Sequence, residues 1–284
     1  MKRMKTSLLG LLLVATLCVA GIAQEPAPAD LVAKHLDAFA SKDARAKLKN
    51  IMAIGNSEFE SRNPAALGGG RAVVVSDPNN LMLVMSFNSK DYPFEKIGYF
   101  GGKPSIPFAI AGKRSLLGSF LMEHGNVLSD GLFGGVYSMR WALGSIDKNK
   151  AKIKSAGTKK IDGVDTYVLE YLPAKSGTSE FFIRLYFDAK TFNHIRTEYR
   201  REIPAGRIVF GQQNQIAGST LSLTEEFSDF KQVEGLTLPH TYRAHFVSNS
   251  GASTAENIWG MKVAQFRFDQ PLEADFFTFE PANK

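Results

Sequence analysis

The chain has 284 residues, 44% of them hydrophobic and 22% charged, which suits one large domain or two small ones. Its formal charge is +6, and removing the three cations of an N-terminal leader, Lys2, Arg3 and Lys5, leaves +3, a balance too weak to support nucleic-acid binding. The single cysteine, Cys18, lies in that leader, so the rest of the chain offers no disulfide, thiolate nucleophile or thiolate metal ligand.

The leader has the three parts of a secretion signal: the basic residues, an apolar run over Ser7–Ala20 and the small-residue site Gly21-Ile22-Ala23. The run is shorter than the ~20 residues of a comfortable membrane span. Residues 1–23 are therefore expected to be removed on export, and the mature chain to start near Gln24. Leu17 stands before Cys18 where a lipoprotein signal carries a small residue, which argues against acylation.

A Pro/Ala tether follows, and then a helix. Asp30 is placed to cap it, and Leu31, Val32, His35, Leu36 and Phe39 keep helical spacing. His35 falls on the apolar face, as a packed core histidine. A short helical piece, Ala44–Lys49, leads to strands at Ile51–Ser61, Gly69–Ser76, Leu81–Phe87 and Lys96–Gly101, with a weaker one at Ser105–Ile110. Asp77-Pro78-Asn79-Asn80 is a hairpin turn. Gly68–Gly70 lacks the Gly-Lys-Ser/Thr of a phosphate loop and opens a strand.

Between Gly112 and Gly144 the period changes. Leu116, Leu117, Phe120 and Leu121 share one helical face; after Gly125-Asn126, Phe133, Val136, Tyr137 and Trp141 share another. Two short helices inside a β chain need an apolar surface to lie on. Gly125, Gly131, Gly134 and Gly135 divide this insert, as hinges of a moving cover or as helix ends.

Strands resume at Lys150–Ile161, Thr166–Pro173, Glu180–Ala189 and His194–Ile203. Lys148–Lys154 alternate and would share one solvated strand face. Gly206–Ser219 reads as a long hairpin end, and Leu221–Gln232, Leu238–Ser248 and Glu256–Asp269 complete the series. About eleven strands on short turns, without βαβ alternation, make an antiparallel meander that must curl or close. LMLVMSF at Leu81–Phe87 and FFIRLYF at Phe181–Phe187 are apolar on both faces, so part of the second face is expected to be covered as well or to line a cavity.

Catalytic signatures are missing. There is no Gly-x-Ser-x-Gly and no His-Glu-x-x-His. His240 and His245 point to opposite faces of one strand, which disfavours a metal pair. Glu225 and Glu226 read as a solvated edge. Arg196, Arg200 and Arg201 form a basic run that a phosphate head group or an anionic membrane would suit, although an exposed strand face explains them better.

Asp162-Gly163-Val164-Asp165-Thr166-Tyr167-Val168-Leu169-Glu170 is followed by Leu185-Tyr186-Phe187-Asp188-Ala189-Lys190-Thr191. Later come Phe227-Ser228-Asp229-Phe230, Gly235-Leu236-Thr237-Leu238-Pro239, and Phe266-Arg267-Phe268-Asp269-Gln270-Pro271 with Phe276-Phe277 behind. This order resembles the LolA/LolB superfamily, in particular its outer-membrane lipoprotein-sorting relatives, over nearly the whole mature chain. The chain is longer than the compact carriers of that family, and Gly206–Ser219 has no obvious counterpart among them.

The resemblance implies a mainly β fold: an incomplete antiparallel β-barrel with an N-terminal helix and a helical lid, residues 112–144, over its concave face. Residues 24–284 would form a single domain. Its role would be that of a monomeric periplasmic carrier, without cofactor, metal or catalysis, that takes acyl chains of a lipoprotein or lipid towards the outer membrane. Envelope membrane proteins would hand over the cargo. A lipid-sensing domain of the same fold is the alternative, and an envelope hydrolase a more distant one. An acyl chain needs only a dry groove, worth about 0.8 kcal/mol for each buried methylene. The expected lining is Met82, Val84, Leu116, Phe120, Leu121, Phe133, Tyr137, Trp141, Phe182 and Tyr186.

Overall fold

The computed structural model describes residues 25–62, 65–174, 181–205, 218–251, 253–273 and 275–279. The expected leader and most of the Gly206–Ser219 hairpin end lie outside the described residues. Helix α1, Pro28–Phe39, starts earlier than Asp30. Proline sits in its first turn, where a fixed φ costs nothing, and Asp30 faces the positive end of the helix dipole rather than capping it. Helix α2, Lys42–Lys47, is capped by Ser41, whose hydroxyl accepts from the Ala44 N–H at 3.2 Å.

Twelve strands follow among the described residues: β1 Ile51–Arg62, β2 Ala65–Ser76, β3 Leu81–Ser86, β4 Phe94–Phe100, β5 Lys103–Ser105, β6 Lys152–Ile161, β7 Val164–Leu172, β8 Phe181–Asp188, β9 His194–Ile203, β10 Ser219–Val233, β11 Leu236–Ser250 and β12 Ser253–Phe268. All join one antiparallel sheet in the order β5-β4-β3-β2-β1-β12-β11-β10-β9-β8-β7-β6. The sheet is unclosed, an incomplete barrel. The weak strand expected at Ser105–Ile110 is instead the three residues of β5, because Pro104 and Pro107 limit what that edge can pair. Where β1 slips against β12 after Ile54, Gly55 is required: a Cβ there would lie 2.0 Å from the Lys262 carbonyl oxygen.

The two free edges, β5 and β6, are consecutive in the chain. Residues 106–151 therefore run from one edge of the sheet to the other, across its concave side. This strap holds α3 Leu116–Glu123, α4 Asn126–Ser129, two 3₁₀ turns at Gly135–Tyr137 and Ala142–Gly144, and α5 Ile146–Asn149. The second helix expected around Phe133–Trp141 is not α-helical, because Gly131, Gly134 and Gly135 all take φ between 51° and 81°. Lys148 lies in α5 and only Lys152 and Lys154 lie on β6, so the lysine run is not one strand face.

Candidate ligand-binding site: the concave face and its strap

Alternate residues of each strand face inward and meet the strap in one continuous core. Leu83 and Met85 of β3, Ile183, Leu185 and Phe187 of β8, and Tyr242 and Phe246 of β11 join Leu117, Phe120, Leu121, Phe133 and Trp141 there. Side chains are what the strap mostly offers the sheet, and they are apolar.

Four polar ties hold its middle. Trp141 Nε1 donates to His35 Nε2 at 2.9 Å. Because that nitrogen accepts, Nδ1 carries the proton and donates to the Phe192 carbonyl at 3.0 Å. Burial pushes the His35 imidazole down to about 4, so it is neutral, the packed core histidine expected from its helical position. The Tyr137 hydroxyl donates to the Pro239 carbonyl at 2.7 Å, and the Met139 N–H donates to Ser76 Oγ at 2.7 Å.

Glu225 makes the fourth tie and corrects the reading of a solvated edge. It is fully buried and accepts from the Gly134 N–H, the Tyr242 hydroxyl and the Tyr199 hydroxyl, each at 2.8 Å. Burial raises its carboxyl to about 7, against the pull of the three donors. Glu226, one residue on, faces outward and pairs with Arg196 and Arg243. The signal was available in the alternation: Leu223, Glu225 and Phe227 share one parity of β10. A second buried carboxylate, Glu95 on β4, accepts from the Tyr92 hydroxyl, and that oxygen in turn accepts from Trp259 Nε1 at 2.8 Å. Burial raises Glu95 to about 7 as well.

The expected lining divides by face. Phe120, Leu121, Phe133, Tyr137 and Trp141 are buried on the inner side. Leu116 opens the same helix as Phe120 but is 41% exposed. Met82, Val84, Phe182 and Tyr186 have the outward parity of their strands, opposite Leu83, Met85, Ile183 and Leu185. In strands apolar on both faces the hydrophobic pattern does not reveal which residues point inward, and a one-residue error exchanges the faces. The outer face has its own covers. Tyr186 packs with Ile161, Val168 and Ile195, while Phe182 is 37% exposed. Met82 lies beside Gly98 of β4, and the Phe100 ring that lies over Gly98 meets Phe277 and Phe279.

The glycines of the strap are not alike. A Cβ on Gly131 would lie 1.8 Å from the Arg140 carbonyl oxygen, and one on Gly135 would lie 2.8 Å from the Phe227 ring. These two permit close approach; they are packing positions rather than hinges. Gly134 has open space around it.

A cleft of about 680 Å³ is lined by Phe59, Leu67, Tyr242, Ile258 and Met261 among others. A smaller pocket of about 100 Å³ lies among Leu36, Phe39, Arg45, Ile51, Ser138 and Trp141. A cleft of about 630 Å³ is lined by both polar and apolar groups, among them Glu123, His124, Asp130, Pro173, Phe181 and Arg201. The basic run is split between faces: Arg201 turns into this cleft and pairs with Glu123, while Arg196 pairs with Asp162 and Arg200 with Glu202 outside. His240 has the inner parity of β11 and meets the Phe266 ring, whereas His245 faces out towards Glu256.

No protein-family model matches the chain, and no curated protein does. Among solved structures it is similar to a DUF1329 family protein from Desulfovibrio piger, with 12% identity over 88% of this chain and 95% of that one and a TM-score of 0.47. A putative outer membrane lipoprotein-sorting protein domain from Vibrio parahaemolyticus gives 12% identity, 87% and 95% coverage, and a TM-score of 0.47. A LolA superfamily protein from Nitrosomonas europaea gives 14% identity, 89% and 98% coverage, and a TM-score of 0.44. At these identities and scores what the chain binds is argued from its own residues.

Proposed function

We propose that the protein is a non-catalytic periplasmic carrier that binds acyl chains of a lipid or lipoprotein between the concave face of its sheet and the strap. The observation that supports this most is the route of residues 106–151: one segment spans the open side of an unclosed barrel, edge to edge, and seals an apolar interior mainly with side chains. Such a seal exchanges one apolar surface for another, which lets an acyl chain take the place of part of it at small net cost. Lipoprotein sorting is part of the Vibrio protein's name; for this chain the cargo is defined only by its chemistry, a flexible hydrocarbon. Native mass spectrometry of protein purified from an envelope-bearing host, with extraction of whatever comes off, tests the reading. Bound lipid, or uptake of an acyl probe by stripped protein, is expected. Protein that is empty and refuses the probe would refute it.

A further inference from the structure

Among the described residues seven large hydrophobic side chains are exposed, and four of them fall within fifteen residues of chain at one end of the strap: Phe108, Ile110, Leu116 and Met122, between 41% and 51% exposed. They are held there by local structure. The Ile110 and Lys113 N–H groups each donate to the other residue's carbonyl, closing a tight turn with Gly112 at φ 74°. Arg114 donates from Nε to the Ile106 carbonyl at 2.8 Å, which sets its guanidinium 4.7 Å from the centroid of the Phe108 ring. Leu116, Ser119 and Met122 follow at three-residue steps along the solvent side of α3, whose other side is buried. Gly118 seats the helix tightly on Ile106, where a Cβ would come to 2.9 Å.

The charge of this end is one-sided. Lys103, Lys113 and Arg114 are exposed on this segment, no acidic residue occurs from Phe100 to Met122, and Glu123, which follows, is paired with Arg201. Single exposed apolar residues need no explanation, whereas four together, ringed by cations on a projecting turn and helix, mark an interaction surface. We propose that this end of the strap docks on an anionic lipid bilayer, with Phe108, Ile110, Leu116 and Met122 entering the headgroup boundary and the three cations meeting lipid phosphates. The occupant is chosen by charge: a surface that is apolar at its centre and positive at its rim fits negatively charged lipid. The inference rests on the carrier reading only in placing the protein near a membrane.

Co-flotation with vesicles tests it. Purified protein is expected to bind vesicles rich in phosphatidylglycerol, to release them as salt is raised, and to bind phosphatidylcholine vesicles several-fold more weakly. Lys113→Glu and Arg114→Glu should each weaken binding about five-fold or more, and Phe108→Ser with Ile110→Ser about ten-fold. Arg200→Glu, which alters an exposed cation elsewhere, should change it little. Both serine positions are exposed, so the thermal midpoint is expected to hold, and a circular-dichroism melt confirms that the variant folds. Equal binding to both vesicle types, or binding to phosphatidylglycerol that survives the serine pair, would overturn the proposal. So would a wild-type dimer in light scattering that the serine pair dissociates, since the patch would then be covered by a second copy. Acyl-probe uptake is followed alongside: uptake unchanged in the serine pair separates docking from cargo binding. Failure of uptake in every variant strikes the carrier reading alone.

Discussion

Replacing Glu225 with glutamine should change how the stability of the protein depends on pH. The carboxyl is buried beneath the strap with three donors and, among the described residues, no basic side chain paired to it. Its proton is held up to about 7, where an unfolded glutamate releases it near 4.5. As pH rises past 4.5 the unfolded chain ionises first, so stability fully present below 4.5 is lost on passing through 7. The loss amounts to about 3 kcal/mol. Glutamine cannot ionise, and its groups fit. The carbonyl replaces Oε1 and accepts from Gly134 and Tyr242, while the amide donates to the Tyr199 oxygen. Urea unfolding of both proteins, followed by tryptophan fluorescence between pH 4.5 and 8, gives the difference directly. The variant should gain about 3 kcal/mol relative to wild type across that range. His35, held down to about 4, loses stability in the opposite direction, as pH falls from 6.5, but it does so in both proteins and cancels. Parallel profiles for the two proteins would refute the assignment of a buried, proton-holding carboxyl.

Three further outcomes follow from the packing. Gly131→Ala must relieve a 1.8 Å contact with a backbone oxygen from a left-handed conformation, whereas Gly134→Ala meets only the conformational penalty of about 1–2 kcal/mol; the first should lower the melting midpoint far more. Trp141→Phe leaves the buried His35 Nε2 without its donor and should cost about 1–3 kcal/mol in denaturant titration, before any cavity is counted. Phe133→Ala should cost about 3–5 kcal/mol, while Phe182→Ser on the outer face should stay within about 0.5 kcal/mol and leave acyl-probe uptake intact.

Most strands were legible because their turns were: Asp77–Asn80, Asp162-Gly163 and Asp188–Thr191 each separate two apolar runs, and β9 falls at His194–Ile203 as expected. The faces were harder to read. β3 and β8 are apolar on both sides because the outer side is covered in places, so residue type does not show that Met82, Val84, Phe182 and Tyr186 face outward while their neighbours face inward. Glu225 was readable by parity and missed by residue type, since a lone carboxylate on an inner face contradicts the usual distribution of charge. The irregular turns around Phe133–Trp141 depend on left-handed glycines and on close approach to Arg140 and Phe227, contacts made across the fold that local periodicity does not encode.

If the proposed carrier reading holds, magnitudes constrain how an acyl chain enters. The pocket of about 100 Å³ between α1 and the strap is smaller than the ~150 Å³ cavity that holds a benzene, so an acyl chain that enters there must displace part of the strap. From Leu117 to Leu143 the strap buries twelve apolar side chains, and exposing all of them would cost upwards of 20 kcal/mol. A sixteen-carbon chain returns on the order of 10 kcal/mol before its own costs. The whole strap therefore cannot lift. Its middle is tied by Glu225, Pro239, Ser76 and His35, and α4 is tied through Arg140, which donates to the Leu128 and Ser129 carbonyls. Helix α3 is the exception: beyond Ser115, which bonds to Glu95, its one described polar tie to the sheet is the surface pair Glu123–Arg201. It buries Leu117, Phe120 and Leu121, worth about 5–9 kcal/mol together, within what the cargo can replace. Hydrogen exchange with a palmitate probe should thus speed at residues 117–123 and stay slow at 132–142. Protection unchanged throughout, or loss at the middle of the strap, would refute entry at α3, the helix whose opposite side carries Leu116 and Met122 towards the bilayer.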